Sequence, residues 1–320
     1  MRLIVIILLS LLFHGVNCSA QYNYFNSQSN WSANKQEAIF GFGATQFTGD
    51  LGGSPNIGKD YSIRDINLKS TGFAGMIGFR MRFHPFFATT TTVSFFQLKG
   101  DDQLSSNLIR NSRNLNFKSN TLEVQQRLEY IFYSVERVGA RYNVSVRQQP
   151  KGQNQQYYVF SGVGIMNINP KGLYNGQWYK LRPLRTEGQG LAGGADPYKT
   201  YTITIPFGVG LRFGINRFWR IGLEASYVKT FSDYIDDVSG IYYDPNNLQS
   251  SLAVHFANPA NQNANWFVPG QQRGDSKQND AYYHINVVLS RNITYENFRF
   301  RLKHRKIFTT NKNKLRRFNG

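Results

Sequence analysis

The chain has 320 residues, and its 37 Lys and Arg against 19 Asp and Glu give a formal net charge of +18. A chain of this length can bury a substantial core, which argues against intrinsic disorder. The one long apolar run, Leu3–Phe13, is shorter than the roughly 18 residues that a membrane-spanning helix needs, which excludes a helical membrane bundle. With 29 Gly, 25 Phe, 19 Tyr and only 18% charged residues, the composition favours strands and turns.

The N-terminus has the features of an export signal. Arg2 precedes the apolar run, and Cys18–Ala20 places small residues at alternate positions before a cleavage point. We expect residues 1–20 to be a signal peptide and the mature chain to begin at Gln21. The mature chain then has no cysteine, which excludes a disulfide framework and a cysteine-based zinc site. A lipoprotein carrying lipid on Cys18 is the alternative, although Asn17 does not fit the small residue expected there.

From Glu37 onward, apolar residues recur at every second position, as in strands with two different faces. Leu122, Val124 and Leu128, for example, alternate with Glu123 and Arg127. The pattern predicts eight strands. They cover residues 39–47, 73–83, 87–98, 121–132, 157–168, 201–213, 219–231 and 282–293.

The connections between these strands alternate in length. Long connections fall at 46–70, 99–115, 169–200 and 232–280, and tight ones at 84–85 and 214–218. The fourth connection, 133–154, falls on the short side yet spans 22 residues. Short turns at one end and long loops at the other are typical of outer-membrane β-barrels. Eight strands leave an interior filled by side chains, so we do not expect a diffusion pore.

A soluble β-sandwich or lipocalin-like barrel would show the same alternation, but the face chemistry favours a membrane barrel. The polar face carries opposite charges that can pair inside a narrow lumen. The predicted lumen charge network is Arg80, Arg82, Glu123, Arg127, Glu129, Arg212 and Glu224. On the apolar face, aromatic residues lie toward strand ends, where membrane-interface girdles form. These are Phe83, Tyr130, Phe132, Phe213, Trp219 and Tyr227.

We therefore predict an all-β fold, an eight-stranded antiparallel transmembrane β-barrel with long extracellular loops and a basic C-terminal tail, located in the outer membrane. The expected divisions are a signal peptide at 1–20, an N-terminal periplasmic segment at 21–36, the barrel at 37–293 and the tail at 294–320. Apart from membrane lipid, we expect protein partners, and neither nucleic acid nor a small-molecule substrate.

The tail is strongly basic, since Arg291–Gly320 holds ten Lys or Arg and one Glu, a net charge of +9. An even number of strands places both termini and the fourth connection on the periplasmic side. The candidate partner-binding residues there are Arg137, Arg141, Arg147, Lys151, Arg299, Arg301, Lys303, Arg305 and Lys306. A positive docking surface and solvated charge runs are both compatible with this pattern.

Few residues suggest catalysis or metal binding. His284 lies on the polar face of the last strand, but no GxSxG motif supports a Ser–His dyad, and we expect a lumen histidine. Four aspartates of the last long loop could gather Ca²⁺, but they match no EF-hand spacing, and capping of the loop or pairing with loop arginines is the simpler expectation. They are Asp233, Asp236, Asp237 and Asp244. Arg273–Asp275 spells an integrin-type tripeptide, which chance and a Gly-Asp turn also explain. We predict no enzymatic activity, no cofactor and no metal.

Several strings in the connections resemble PorG-like outer-membrane barrels of the type IX secretion system of Bacteroidota. They are FTGDLG at 47–52, RNLNFKSN at 113–120, YNGQWYKL at 174–181, RTEGQG at 185–190, TFSDYIDDVSG at 230–240 and QRGD at 272–275. The strings occur in order between residues 39 and 293, and together they are specific. The resulting loop-motif residues are Trp178, Glu187, Asp233, Asp236, Asp237, Arg273 and Asp275.

This resemblance implies a non-enzymatic role in protein transport and gliding motility. Such barrels associate with the PorK and PorN ring proteins in the periplasm and help to anchor the machinery to the outer membrane. The chain departs from the family at Arg185, where Gly is expected, and in its long basic tail. The alternatives are a paralogue that acts outside the secretion system, an adhesin or small-ligand binder acting through 232–280, and a lipid-modifying enzyme using His284.

Overall fold

The computed structural model describes residues 35–51, 68–105, 107–135, 155–215 and 218–293. The strands in this part of the chain are β1 (Gln36–Thr48), β2 (Gly72–Arg82), β3 (Phe87–Asp101), β4 (Asn116–Val135), β5 (Gln155–Asn167), β6 (Pro170–Tyr174), β7 (Gln177–Lys180), β8 (Tyr201–Gly214), β9 (Trp219–Thr230) and β10 (Ala281–Asn292). The α-helices are α1 (Leu108–Arg113) and α2 (Ser251–Ala257). Short 3-10 helices cover Leu68–Ser70, Asp102–Leu104, Arg182–Leu184, Pro245–Asn247 and Ala264–Trp266. Within the described ranges, every helix is too short or too polar to cross a membrane.

Eight of these strands close into an antiparallel barrel. Around the barrel their order is β1, β2, β3, β4, β5, β8, β9 and β10. Closure is made by β1 and β10, which pair in continuous register from Glu37–Asn292 to Thr48–Ala281. This arrangement confirms the predicted eight-stranded antiparallel barrel.

The barrel has two different rims. At the rim that holds Gln36 and Asn292, which we call the turn end, a short turn at 83–86 joins β2 to β3, and the chain passes from Gly214 of β8 to Trp219 of β9. At the opposite rim, the loop end, long connections leave the strands. The fourth connection joins β4 and β5 at the turn end, and its residues 136–154 lie outside the described part of the chain.

The outer surface of the barrel is apolar on every strand. Phe42 exposes 70% of its surface, and each barrel strand carries similar exposed hydrophobic residues. Examples are Phe79 on β2, Val93 and Phe95 on β3, Leu122, Val124 and Leu128 on β4, Val163 on β5, Ile203 and Phe207 on β8, Leu223 on β9 and Ile285 on β10. A continuous apolar band of this extent is incompatible with a soluble barrel and is the lipid-facing surface of a membrane barrel.

A charge on this band is expected to impair folding in lipid. Val124 lies midway along the barrel between Val93 of β3 and Ile165 of β5, and its side chain is 48% exposed. Replacing Val124 with Arg should cost about 2 to 4 kcal/mol in lipid vesicles, because the guanidinium must then sit near the bilayer midplane. Guanidine titration of the barrel in vesicles measures this cost, with Val124→Leu as the matched control. A cost indistinguishable from that of Val124→Leu would contradict the outward facing of this residue.

The long connections fold together over the loop end, which the sequence pattern did not predict. We call this layer the cap, meaning the described residues of 49–71, 102–115, 168–200 and 231–280. Apolar side chains of the cap and of the strand ends form one buried cluster, in which Phe47 meets Phe117 edge-on at 4.8 Å between ring centroids. Also unpredicted is the β6–β7 hairpin, whose turn at Asn175 and Gly176 has positive φ values of 49° and 78°, as in a type I′ turn.

Candidate functional site: the charged lumen and the cap

The lumen contains a buried network of arginines and glutamates. Arg80 Nε donates to Glu129 Oε2 at 2.6 Å. Arg212 Nη2 lies 3.3 Å from Glu129 Oε1 and 3.2 Å from Glu224 Oε1. Arg127 Nη1 reaches Glu224 Oε2 at 3.0 Å. The structure therefore brings together five of the seven residues predicted for the lumen network.

Two further members of the network were missed by the sequence analysis. Glu37 lies 3.5 Å from Arg80 Nη1 and 3.7 Å from Arg212 Nη1, and it also pairs with Arg220. Both residues are buried by the same alternation. Glu37 lies between the half-buried Gln36 and Ala38, and Arg220 lies between the half-buried Trp219 and the exposed Ile221. The alternation at the two strand ends was the signal that could have identified them.

The other two predicted network residues make different contacts. Arg82 donates to the backbone carbonyls of His84 and Pro85, and so fixes the turn between β2 and β3. Glu123 Oε1 accepts hydrogen bonds from Thr204 Oγ1 at 2.6 Å and from the Tyr282 hydroxyl at 2.7 Å. Glu123 therefore ties three strands together nearer the loop end than the main network.

Taken together, the lumen charges fill the barrel with matched cations and anions. The guanidinium of Arg212 also lies over the Tyr158 ring, 4.3 Å from its centroid, and Tyr158 donates its hydroxyl proton to Glu224. Arg80 and Arg212 are among the largest side chains that are fully buried. An eight-stranded interior packed in this way is a plug that holds the strands in register.

The cap is held together by two buried arginines. Arg273 donates from Nη1 to Glu187 Oε1 at 2.8 Å and to the Asp237 carbonyl at 2.7 Å, and from Nη2 to the Phe256 carbonyl at 3.2 Å. It thereby joins the connection between β7 and β8 to helix α2 and to the segment that follows β9. Because its side chain is buried, the integrin-type tripeptide is not displayed on the surface.

Arg113, at the end of α1, is the second arginine. It pairs with Asp102 at 2.7 Å and 3.0 Å. It also donates to the carbonyls of Arg273 at 2.6 Å and Asp50 at 2.7 Å. The two arginines are therefore linked directly, and four connections meet around them.

The predicted loop-motif residues fall into two groups. Glu187 accepts from the amides of Ser239 and Gly240, while Asp237 accepts from Thr186 Oγ1 at 2.6 Å. These acids, together with Asp233, Asp236 and Arg273, are buried in the cap, and the half-buried Asp275 donates its amide to Asp50. Trp178 is not part of this group, since it is 40% exposed on the β6–β7 hairpin.

The aspartates of the cap bind the backbone. Asp236 accepts from the amides of Leu51 at 3.1 Å and Val238 at 3.0 Å, and Asp280 accepts from the amide of Ile235 at 3.0 Å. Asp244 caps the 3-10 helix that follows it. In the described part of the chain, no three His, Cys, Asp or Glu side chains are arranged to hold a metal ion.

Burial raises the pKa of several cap carboxyls. It raises the pKa of Asp233 to about 8 and the pKa values of Asp50 and Asp237 to about 6. Burial also raises the pKa values of Asp236 and Asp280 well above the ordinary value, and their negative carboxylate neighbours add to this effect. The folded cap therefore binds protons that an unfolded cap would release.

The cap is expected to lose stability as the pH rises. Its stabilisation by protons is complete below about pH 4, the pKa of an unfolded aspartate, and is lost as the pH rises through about 6 to 8. Hydrogen-exchange protection factors for 231–280 should be lower at about pH 8.5 than at about pH 5.5. Asp233→Asn, which cannot titrate, should reduce this difference. Protection that is equal or greater at the higher pH would contradict the expectation.

His284 faces the lumen, as predicted. Its ring meets Phe96 edge-on at 4.6 Å and Tyr282 edge-on at 5.1 Å between centroids, and the side chain is buried. These contacts make it part of the packing beneath the cap.

Comparison with solved structures finds several bacterial proteins that are similar to this chain in fold. Neisserial surface protein A matches with a TM-score of 0.37 and 8% identity, covering 81% of this chain and 97% of that one. The Ail protein of Yersinia pestis matches with a TM-score of 0.31 and 10% identity, over 81% and 97% of the two chains. The N-terminal barrel domain of Pseudomonas aeruginosa OprF matches with a TM-score of 0.31 and 8% identity, covering 81% of this chain and 97% of that one. No protein-family model and no curated protein matches this chain.

Several predicted residues lie outside the described ranges. They include the signal peptide at 1–20, most of the N-terminal segment at 21–36 and the tail at 294–320. The nine candidate partner-binding residues, Arg137, Arg141, Arg147, Lys151, Arg299, Arg301, Lys303, Arg305 and Lys306, are all in such segments.

Proposed function

We propose that this protein is a non-enzymatic outer-membrane barrel that anchors the periplasmic ring of a type IX protein secretion and gliding machinery. In this function the apolar band holds the barrel in the outer membrane, the loop end faces the cell exterior, and the turn end faces the periplasm. The basic segments attached to the turn end bind ring proteins of the PorK and PorN kind.

The observation that carries the proposal is where the family-like strings meet. Strings that are widely separated in the sequence supply the buried contacts of the cap. Arg113, Glu187 and Arg273 come from three of them, and Asp236 and Asp50 from two others. Strings that matched the family by chance would be expected to lie scattered over exposed loops.

The filled lumen supports an anchoring role over transport through the barrel. The charged plug spans strands from all sides of the barrel, with Glu37 on β1, Arg80 on β2, Glu129 on β4 and Arg212 on β8. Opening a path would require breaking several buried ion pairs together. The surfaces beyond the two rims therefore carry the function.

The attachment points of the basic segments also support the proposal. Val135 and Gln155, which flank the fourth connection, lie at the same rim as Asn292, after which the tail begins. The fourth connection carries four Lys or Arg and the tail carries most of the +9 charge counted from Arg291. Both basic segments therefore start from the side assigned to the periplasm.

The test is a mild-detergent purification of the tagged protein from its native outer membrane, followed by mass spectrometry. The full chain is compared with a chain ending at residue 293 and with a full-length chain in which the tail Lys and Arg are replaced by Gln. We expect ring proteins to accompany the full chain and to be lost from both variants.

Two results would overturn the proposal. One is recovery of the full-length barrel alone from cells whose secretion is normal after deletion of its gene. The other is undiminished recovery of ring proteins when each tail variant is combined with Gln replacements of the basic residues in the fourth connection. Folding of each variant is checked by the heat-modifiable gel mobility of the barrel.

A further inference from the structure

The sheet extension above the membrane band carries a row of four directly opposed lysines. Lys99 of β3 pairs with Lys118 of β4, which pairs with Lys171 of β6, which pairs with Lys180 of β7. Paired residues of neighbouring antiparallel strands project from the same face. We call Lys99, Lys118, Lys171 and Lys180 the lysine row.

Like charges at directly opposed positions destabilise a sheet. The row repeats this arrangement at three successive strand pairs, with strands roughly 4.8 Å apart. Lys118 is held in place by Trp178, because its ammonium group lies 4.0 Å from the centroid of the indole ring. Three of the four lysines are half-buried and Lys180 is exposed. Such a surface gains free energy from an anionic ligand that spans the row.

Two lysines of the row, Lys99 and Lys118, also line an open cleft. The cleft has a volume of about 590 Å³, within the range typical of ligand pockets. Besides Lys99 and Lys118 it is lined by a third lysine, Lys69, and by Trp178. Amide side chains that suit sugar hydroxyls also line it, while Asp101 is the only acidic residue among the described lining residues.

The position of the row identifies where its ligand would come from. On β3, Lys99 follows the lipid-facing Phe95 by four residues, and on β4, Lys118 precedes the lipid-facing Leu122 by four residues. Both intervals keep the same outward face and correspond to roughly 13 Å along the strand. The row therefore lies directly above the apolar band, at the level of lipid headgroups.

We propose that the lysine row and Trp178 bind the phosphorylated sugar headgroup of a glycolipid in the outer leaflet. The lysines neutralise the phosphates, the amides accept and donate to sugar hydroxyls, and the acyl chains continue onto the apolar band below. This inference rests on the orientation in the proposed function, in which the loop end faces the cell exterior, and it adds a contact on the side opposite to the ring proteins.

The probe is a short-chain lipopolysaccharide carrying lipid A phosphates, added to the detergent-purified full chain and followed by native mass spectrometry. Replacing all four row lysines with Gln should weaken binding about tenfold or more, because each lysine near an anionic lipid surface contributes favourably. Replacing all four with Arg, which keeps the charge, should retain binding. Gln at Lys199 and Lys277, which are exposed cap lysines outside the row, is the matched control and should leave the affinity unchanged.

A second readout separates binding from a structural role. Without the glycolipid, the four-Gln variant should be as thermally stable as the unmodified protein or more stable, because the like-charge repulsion is gone. A loss of stability without ligand, or full affinity in the four-Gln variant, would overturn the proposal. Equal affinity for the soluble, acyl-free phosphorylated oligosaccharide would overturn the lipid as the source of the headgroup. Ring-protein recovery by the four-Gln variant reports separately on the proposed anchoring function.

Discussion

Replacing Glu129 with Gln is expected to destabilise the barrel by about 3 to 5 kcal/mol, the range for removing one partner of a buried ion pair. The Glu129 carboxylate lies 2.6 Å from Arg80 Nε and 3.3 Å from Arg212 Nη2, and it also accepts a hydrogen bond from the Thr90 hydroxyl. The neutral amide leaves two buried guanidinium groups with less compensating charge. Guanidine titration of the barrel in lipid vesicles measures the loss.

A double variant provides the matched control for this experiment. Combining Glu129→Gln with Arg80→Met removes both partners of the Arg80–Glu129 pair, so the two single costs should not add. The double variant should lose clearly less stability than the sum of the single variants. A cost below about 1 kcal/mol for Glu129→Gln would mean that the lumen charges are solvated rather than paired.

Replacing Arg273 with Met is expected to unfold the cap while the barrel stays closed. The change removes the donors that hold Glu187 and the carbonyls of Asp237 and Phe256, and it leaves Glu187 buried without its cation. The cost should again be about 3 to 5 kcal/mol, here in the local stability of the cap. Hydrogen exchange and limited proteolysis of 231–280 report this loss.

The barrel strands provide the internal reference for the Arg273 experiment, since their exchange should stay slow. Arg182→Met is the matched control, because Arg182 is exposed and makes a hydrogen bond to the Tyr198 carbonyl at 3.1 Å. Its loss should cost about 1 kcal/mol or less. Unchanged protection of 231–280 in the Arg273→Met variant would show that the arginine is not what holds the cap together.

The barrel could be predicted from the sequence because its signal is local. A strand alternates its faces every two residues, so Leu122, Val124 and Leu128 identify the lipid side and Glu123 and Arg127 the lumen without knowledge of the partner strands. The same rule placed five of the seven members of the lumen ion-pair network. It missed Glu37, which precedes the predicted first strand at 39–47. It also missed Arg220, because only Glu224 of the predicted strand at 219–231 was assigned to the network.

The cap could not be predicted in the same way because its contacts are not local. The amide of Leu51 binds the carboxylate of Asp236, which lies 185 residues further along the chain. The lysine row is a similar case, since Lys99, Lys118 and Lys171 have no common spacing in the sequence. Their alignment depends on the register of three strands, one of which belongs to the unpredicted hairpin.

The most direct test of the central claim is site-specific photo-crosslinking in living cells of the native host. A photoreactive residue replaces Lys303 in the basic tail, and in a second strain it replaces Trp178 at the loop end. The anchoring account predicts crosslinks to the periplasmic ring proteins from position 303 and none from position 178. Crosslinks to ring proteins from position 178 alone, or from neither position in cells that secrete normally, would contradict it.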